Sequence, residues 1–256
     1  FKQKTAYEML RSLVGSEMCI RDRFIVQSEK EKQRLLSIVP RAQTTVVPIP
    51  AFNMLIDRQM PKEKARERLS LPIDVPVLLF FGIIREYKGL RDLLVAIPEI
   101  CARLGKIVLL VAGEFWEEKQ PYLEIIKQLG IDDLVIIEDR YIPNEEVAIY
   151  FSAADVLVAP YQHVTGSAVV QLAQGFGLPV VTTVRDSLKA ASSILVVSQT
   201  DPTTLAQAIS CCYALQNQSK NLSWQAYEFS WIRLVKAIEQ EYPDAHPRNF
   251  NHYPCA

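Results

Sequence analysis

Val75-Pro-Val-Leu-Leu-Phe-Phe-Gly-Ile-Ile-Arg-Glu-Tyr-Lys-Gly89 is the stretch on which the fold turns. Val75–Phe81 is a near-continuous apolar run, the composition of a strand buried on both faces of a parallel sheet. Gly82-Ile-Ile-Arg85-Glu-Tyr-Lys88-Gly89 then turns the chain. From Gly89 to Leu104 the apolar residues Leu90, Leu93, Leu94, Ile97, Ile100 and Cys101 recur at helical spacing. A buried strand, a turn and an amphipathic helix form one half of a βαβ unit.

The same alternation continues downstream. Strands are predicted at Ile107–Ala112, Leu134–Ile137, Val156–Ala159, Pro179–Thr182 and Ile194–Val197. Helices are predicted at Glu117–Leu129, Glu145–Ala153, Ser167–Phe176 and Trp224–Glu241, and at Thr203–Leu215 behind the Asp201-Pro202 start signal. Strand–helix repetition of this kind specifies an α/β fold, a doubly wound parallel sheet covered by helices on both faces, over about residues 75–215. Upstream, Phe24–Ser28, Glu29–Ile38 and Thr44–Ile49 read as strand, helix and strand. Residues 51–74 are polar and Pro-punctuated, carry a short charged helix at Lys62–Leu69, and read as a linker between domains. The tail from Pro243, residues 243–256, is expected to be disordered. Ser12 to Arg23 resembles a translated sequencing adapter, so residues 1–23 are treated as a non-native segment, with the natural protein expected to extend upstream of Phe24.

Composition narrows the function classes. The chain has 256 residues, enough for one large core or one domain and part of another. Hydrophobic residues are 49% and charged residues 22%, the balance of a globular protein. A formal net charge of -1 offers no broad attraction to a phosphate backbone, so nucleic acid is not an expected partner. The longest apolar runs fall short of the ~20 residues that cross a bilayer, and no transmembrane segment is predicted. The five cysteines show no metal spacing, and their odd number fits free thiols in a reducing, cytoplasmic setting. Cys101 and the Cys211–Cys212 pair are expected to pack as small apolar groups.

Ligands of open parallel α/β sheets bind beyond the carboxyl ends of the strands, which directs attention to four strand-to-helix turns. Gly82–Gly89 combines Arg85 and Lys88 with two glycines before a helix, a combination suited to an anion. It would serve equally as a solvated loop with capping glycines. At Ala112-Gly113-Glu114, Gly113 would allow close approach of backbone to ligand, while Glu114 reads as solvated. Arg140-Tyr141-Ile142-Pro143-Asn144 presents main-chain groups that can read a planar base, or is an ordinary turn with Asn144 as helix cap. His163-Val-Thr165-Gly166-Ser167-Ala168 brings hydroxyls and free N–H groups to a helix start, with Gln171 one turn inside; a plain Ser167 or Thr165 N-cap would also explain them.

From roughly Phe24 to Glu239 the chain resembles the retaining group 1 (family 4) glycosyltransferases of the GT-B fold, in which two Rossmann-like halves face each other. The most specific stretches are Phe80-Phe-Gly-Ile-Ile-Arg-Glu-Tyr-Lys-Gly89, Ala153-Ala-Asp-Val-Leu-Val-Ala-Pro160 and Thr165–Val181. The resemblance implies that residues 75–242 are the C-terminal nucleotide-sugar-binding domain and that 24–50 belong to an N-terminal acceptor domain. It implies a diphosphate held by Lys88 with Arg85, and a base read at Tyr141 and Ile142. Gly82, Gly113, Thr165, Gly166, Ser167, Ala168 and Gln171 complete the donor site, with His163 grouped with the two cations as catalytic.

Departures from the family pattern fall on functional positions. Ile83 stands where many members carry Arg. The two signature glutamates are matched by His163 and Gln171, and the usual glycine-rich loop by Val184-Arg185-Asp186-Ser187. Gln171 can still bond a ribose hydroxyl, and His163 a sugar hydroxyl or phosphate oxygen. The implied reaction is retaining transfer from a UDP-, GDP- or ADP-sugar to an unidentified acceptor. No Asp-x-Asp motif is present, so no metal and no cofactor beyond the donor is expected. The chain by itself is expected to bind nucleotide and transfer nothing, with any peripheral membrane contact made through the N-terminal domain. The competing readings are a non-catalytic nucleotide-sugar-binding protein and, less favoured for want of extra catalytic carboxylates, a nucleotide-sugar 2-epimerase.

Overall fold

Every strand of the larger sheet runs parallel to its neighbours, as the uninterrupted apolar runs require. The computed structural model describes residues 23–47, 55–162, 167–183, 194–197, 199–216 and 235–237. The chain divides into two units, residues 1–47 with 235–256, and residues 48–234. Residues 1–22 of the expected non-native segment 1–23, most of the helix expected at Trp224–Glu241, and the tail 243–256 lie outside the described residues; Arg23 opens the first strand, and 235–237 are helical.

In the first unit, β1 (Arg23–Val26), α1 (Glu29–Ile38) and β2 (Gln43–Val46) form the expected strand–helix–strand. The two strands pair in parallel from Arg23↔Gln43 to Val26↔Val46 as a separate two-stranded sheet. Helix α1 starts because Ser28 caps it: its hydroxyl accepts from the Glu31 N–H at 3.2 Å. Glu31 reaches back to the Gln27 N–H at 2.9 Å, so one short segment satisfies donors in both directions.

In the second unit, α2 (Lys62–Arg68) precedes an alternation of β3 (Val77–Phe81), α3 (Leu90–Leu104), β4 (Val108–Ala112), α4 (Gln120–Leu129), β5 (Val135–Glu138) and α5 (Asn144–Ala153). It continues through β6 (Val156–Ala159), α6 (Ala168–Gly175), β7 (Val180–Thr182), β8 (Ile194–Val196) and α7 (Pro202–Gln216). The six strands lie in the order β5-β4-β3-β6-β7-β8. The chain therefore winds outward from β3 on one side, then returns to β3 and winds outward on the other. The reversal between β3 and β6 is where such sheets open a crevice for ligands.

Two hydrophobic clusters sandwich the sheet, and strand alternation assigns residues between them. Leu78, Phe80, Leu109, Val111, Val156 and Val158 join α3, α4 and α7 in one. Val77, Leu79, Val108, Leu110, Leu157 and Ala159 join α2, α5 and α6 in the other. Burial on both faces is why these strands read as runs rather than as alternations. Cys212 is buried, and burial pushes its thiol up to about 12; Cys101 is half-buried. Cys211 is exposed and does not pack as expected.

The short charged helix α2 is docked against the sheet rather than solvated on all sides. Arg66 is 3% exposed. Its guanidinium donates to Asp155 Oδ2 at 2.6 Å and to the main-chain oxygens of Ala153, Pro72 and Val75 at 3.0, 3.3 and 3.1 Å, with a further contact to that of Ile73. The same Asp155 accepts from the Val77 N–H at 2.7 Å and from Lys62 Nζ at 2.6 Å. A single carboxylate thus ties α2 to the amino ends of β3 and β6. No described helix is long and apolar enough to cross a membrane.

Candidate functional site

At the opposite, carboxyl end of β3 the main chain does not end its pairing where the strand ends. The Gly82 N–H donates to the Ala112 carbonyl at 2.9 Å, the Ile84 N–H to that of Glu114 at 2.9 Å, and the Trp116 N–H to that of Ile84 at 3.2 Å. The loops after β3 and β4 therefore run on as a paired ribbon. Gly113 at φ 146° lies so close that a Cβ there would sit 2.2 Å from the Gly82 carbonyl oxygen, which only glycine avoids. The Gly113 N–H in turn donates to the Glu138 carbonyl at 3.0 Å, and Asp139 accepts from the Phe115 N–H at 3.1 Å, joining the loop after β5. On the other side, the Gln162 N–H donates to the Tyr87 carbonyl at 2.8 Å. Gly89, at φ 75°, packs against Pro160, whose oxygen would lie 2.1 Å from a Cβ. The loops after β3, β4 and β5 and the first residues after β6 are thus joined along one rim.

Lys88 points back over this rim. Its Nζ lies against Gly82, 3.1 Å from where a Cβ would be, and 5.8 Å from the ring centre of Tyr161. Burial lowers its pKa from the usual lysine value, and the neighbouring Arg85 charge lowers it further. Arg85 stacks on Trp116, Cζ to ring centre 4.7 Å. Among the described residues neither cation belongs to an ion pair. Two positive groups without counter-charges, one of them desolvated, are what a site for an anion supplies.

The start of α6 faces the same place, since Val169 Cγ2 would lie 3.5 Å from a Gly82 Cβ. Ser167 is the N-cap: its hydroxyl accepts from the Val170 N–H at 3.3 Å and donates to Tyr161 Oη at 3.2 Å. The capping alternative raised by the sequence therefore applies to Ser167. The N–H groups of Ala168 and Val169, in the first turn of α6, have no partner among the described residues. Gln171 is 3% exposed, and its side-chain amide has no hydrogen-bond partner among the described residues. Tyr161, to which the sequence assigned no role, is 5% exposed, and burial pushes its phenol up to about 12. His163, Thr165 and Gly166 lie outside the described residues, as do Val184–Ser187.

The loop after β5 stands two strands away from β3. Tyr141 is 69% exposed, whereas the Ile142 side chain is buried in the core. What Ile142 can offer a ligand is its main chain, whose N–H has no partner among the described residues. Arg140 is not a free cation, because it pairs with Glu138 at 2.6 Å and also with Glu146. Asn144 is the first helical residue and not the cap: Pro143 holds that position, with no side-chain hydrogen bond.

A parallel sheet wound outward in both directions from β3, with helices on both faces, is the doubly wound α/β fold. A family model for glycosyl transferases group 1 matches residues 75–214, more than half of the chain, and the chain belongs to that family. The D-inositol 3-phosphate glycosyltransferase of Thermobispora bispora is 30% identical over 255 residues, covering 91% of this chain and 59% of the relative. Across the curated relatives it matches, the chain spans between about half and three fifths of their length. Among solved structures, the sucrose-phosphate synthase of Thermosynechococcus elongatus aligns with a TM-score of 0.70 at 24% identity, over 92% of this chain and 66% of that one. The Anabaena protein HepE in complex with UDP aligns at 0.63 and 15% identity, over 84% of this chain and 63% of that one. These two likenesses bear the GT-B, Rossmann-like fold.

Proposed function

We propose that this chain binds a nucleotide-diphosphate sugar and supplies the donor half of a retaining glycosyltransferase. The observation that carries the reading is Lys88: a desolvated ammonium held over Gly82, with no ion-pair partner among the described residues, beside the N-terminus of α6. A diphosphate seated there would meet Lys88, Arg85 and the helix N-terminus together, and its developing charge as the glycosidic bond loosens would be stabilised by groups already in place. The main chain at Tyr141 and Ile142 would read the base, and the Gln171 amide would meet the ribose hydroxyls. Ser167 acts in this reading by capping α6 and holding Tyr161 rather than by touching the ligand. His163, Thr165 and Gly166 complete the sugar-facing part by resemblance. Binding of UDP by the Anabaena relative supports a nucleotide ligand. Transfer to an acceptor would need the acceptor-binding half of such an enzyme, and a cytoplasmic setting goes with this reading.

Calorimetric titration of the chain with UDP, GDP and ADP tests it. At least one nucleotide should bind, and Lys88→Ala with Arg85→Ala should weaken it by ~10-fold or more, the scale of a lost charge-assisted contact. No binding of any of the three, or binding indifferent to that double change, rejects the reading. The matching of the signature glutamates by His163 and Gln171 favours one alternative, a non-catalytic nucleotide-sugar-binding protein. Hydrolysis of UDP-, GDP- or ADP-sugars by a chimera carrying an acceptor domain would exclude that alternative.

A further inference from the structure

We propose that Trp116 is a positioning residue for Arg85, holding its guanidinium at the rim of the site without neutralising it and so leaving it free to meet a diphosphate. The inference rests on the donor-binding reading above and assigns a role to a residue outside the expected site. The sequence at this turn, Glu114-Phe-Trp116, gave no hint of it, since Glu114 was read only as solvated.

The geometry has three parts. Trp116 is stapled to the residue before Arg85, because its N–H donates to the Ile84 carbonyl at 3.2 Å within the paired ribbon of the two loops. Its indole is fixed in turn by Nε1 donating to Glu114 Oε2 at 2.9 Å. The ring then lies under Arg85, Cζ to centre 4.7 Å, within the range of a cation–π contact. Trp116 itself is 55% exposed, so burial of the indole does not explain its place.

The carboxylates on the same loops are engaged elsewhere. Glu114 accepts from Trp116, while Glu117 accepts from the Glu86 N–H at 2.7 Å and from the Tyr122 hydroxyl. Among the described residues the Arg85 guanidinium therefore has neither a counter-ion nor a hydrogen-bond acceptor. An aromatic face orients a guanidinium while using none of its N–H groups, whereas a carboxylate would occupy two of them and cancel the charge. An arginine held in this way keeps its whole donor fork for an incoming phosphate.

The test is a double-mutant cycle on the full 256-residue chain, read by calorimetry with whichever of UDP, GDP and ADP binds most tightly. Trp116→Leu should weaken the nucleotide by about 3- to 5-fold, the scale of an exposed cation–π contact, while Trp116→Phe, which keeps an aromatic face but loses the Nε1 bond to Glu114, should fall between Leu and the parent. In an Arg85→Ala background, Trp116→Leu should cause no further loss. A merely structural role would weaken binding equally in both backgrounds and would not distinguish Phe from Leu, and either result overturns the proposal. Thermal melting of each variant identifies any loss of fold. If Lys88→Ala still weakens binding while Trp116 shows no coupling to Arg85, only this inference fails. If none of the three nucleotides binds, the donor-binding reading falls with it.

Discussion

Arg66 and Asp155 form an ion pair at 2.6 Å with side chains only 3% and 6% exposed, and they join a helix to two strands from residues 89 apart in sequence. Their pairing lies at the amino ends of β3 and β6, while the candidate site lies at the carboxyl ends. Removing one partner of such a pair leaves the other charge buried and uncompensated. Asp155→Ala also strips an acceptor from the Val77 N–H. The expected loss of stability is about 3–5 kcal/mol, measured by urea unfolding. Nucleotide affinity of the folded fraction, measured at low temperature, should not change.

Gly89 offers a second test, because an internal control exists. Both Gly89 (φ 75°, ψ 24°) and Gly130 (φ 62°, ψ 38°) are left-handed, but a Cβ at Gly130 would meet nothing within 4 Å, whereas one at Gly89 would lie 2.1 Å from the Pro160 oxygen. Gly130→Ala should cost about 1–2 kcal/mol, the strain of a left-handed residue. Gly89→Ala should cost a further ~1–3 kcal/mol through overpacking, and should displace Lys88 next to it. Differential scanning calorimetry gives the difference in stability. Nucleotide titration should show a loss for Gly89→Ala alone.

Lys88 makes the site sensitive to pH in a defined direction. Burial, and then Arg85, lower its pKa below 10.5, so the ammonium is lost at a lower pH than in the unfolded chain. Nucleotide affinity should be full below that lowered value and fall as pH rises through it. A Lys88→Arg variant should lack this fall, since the guanidinium stays charged, and the ratio of the two affinities cancels titration of the ligand. Stability has the opposite sign: the native state binds fewer protons in this window, so the lysine's contribution rises with pH up to the unfolded value. Lys88→Met should therefore melt above the parent at neutral pH while losing nucleotide. Lower melting with intact affinity would contradict both parts.

Much of the fold was legible because a strand buried on both faces must be apolar at nearly every position; Val156–Ala159 was placed at its observed bounds. Helix starts were less legible. The helix expected from Glu117 begins at Gln120, because the chain first runs as an extended ribbon in which Glu114 and Trp116 pair with Ile84 of the loop after β3. Arg66 looked like one of several surface charges on a helix, and its partner Asp155 could be found only by the fold that brings them together. Lys88 and Arg85 stood out because a turn with two cations and two glycines is chemically unusual. Trp116 did not, since a single exposed aromatic has meaning only through the guanidinium above it.

The strand order has a consequence for any molecule that engages both the Lys88 loop and the Tyr141–Ile142 loop. With β4 interposed, the two loops are two ladder spacings apart, about 10 Å, and that interval is maintained by main-chain hydrogen bonds. Substituting side chains at either end changes the chemistry offered there but leaves the interval unaltered. For a ligand that spans both loops, the sheet would set the interval between its two contacts, and recognition at one end could be exchanged without altering the other.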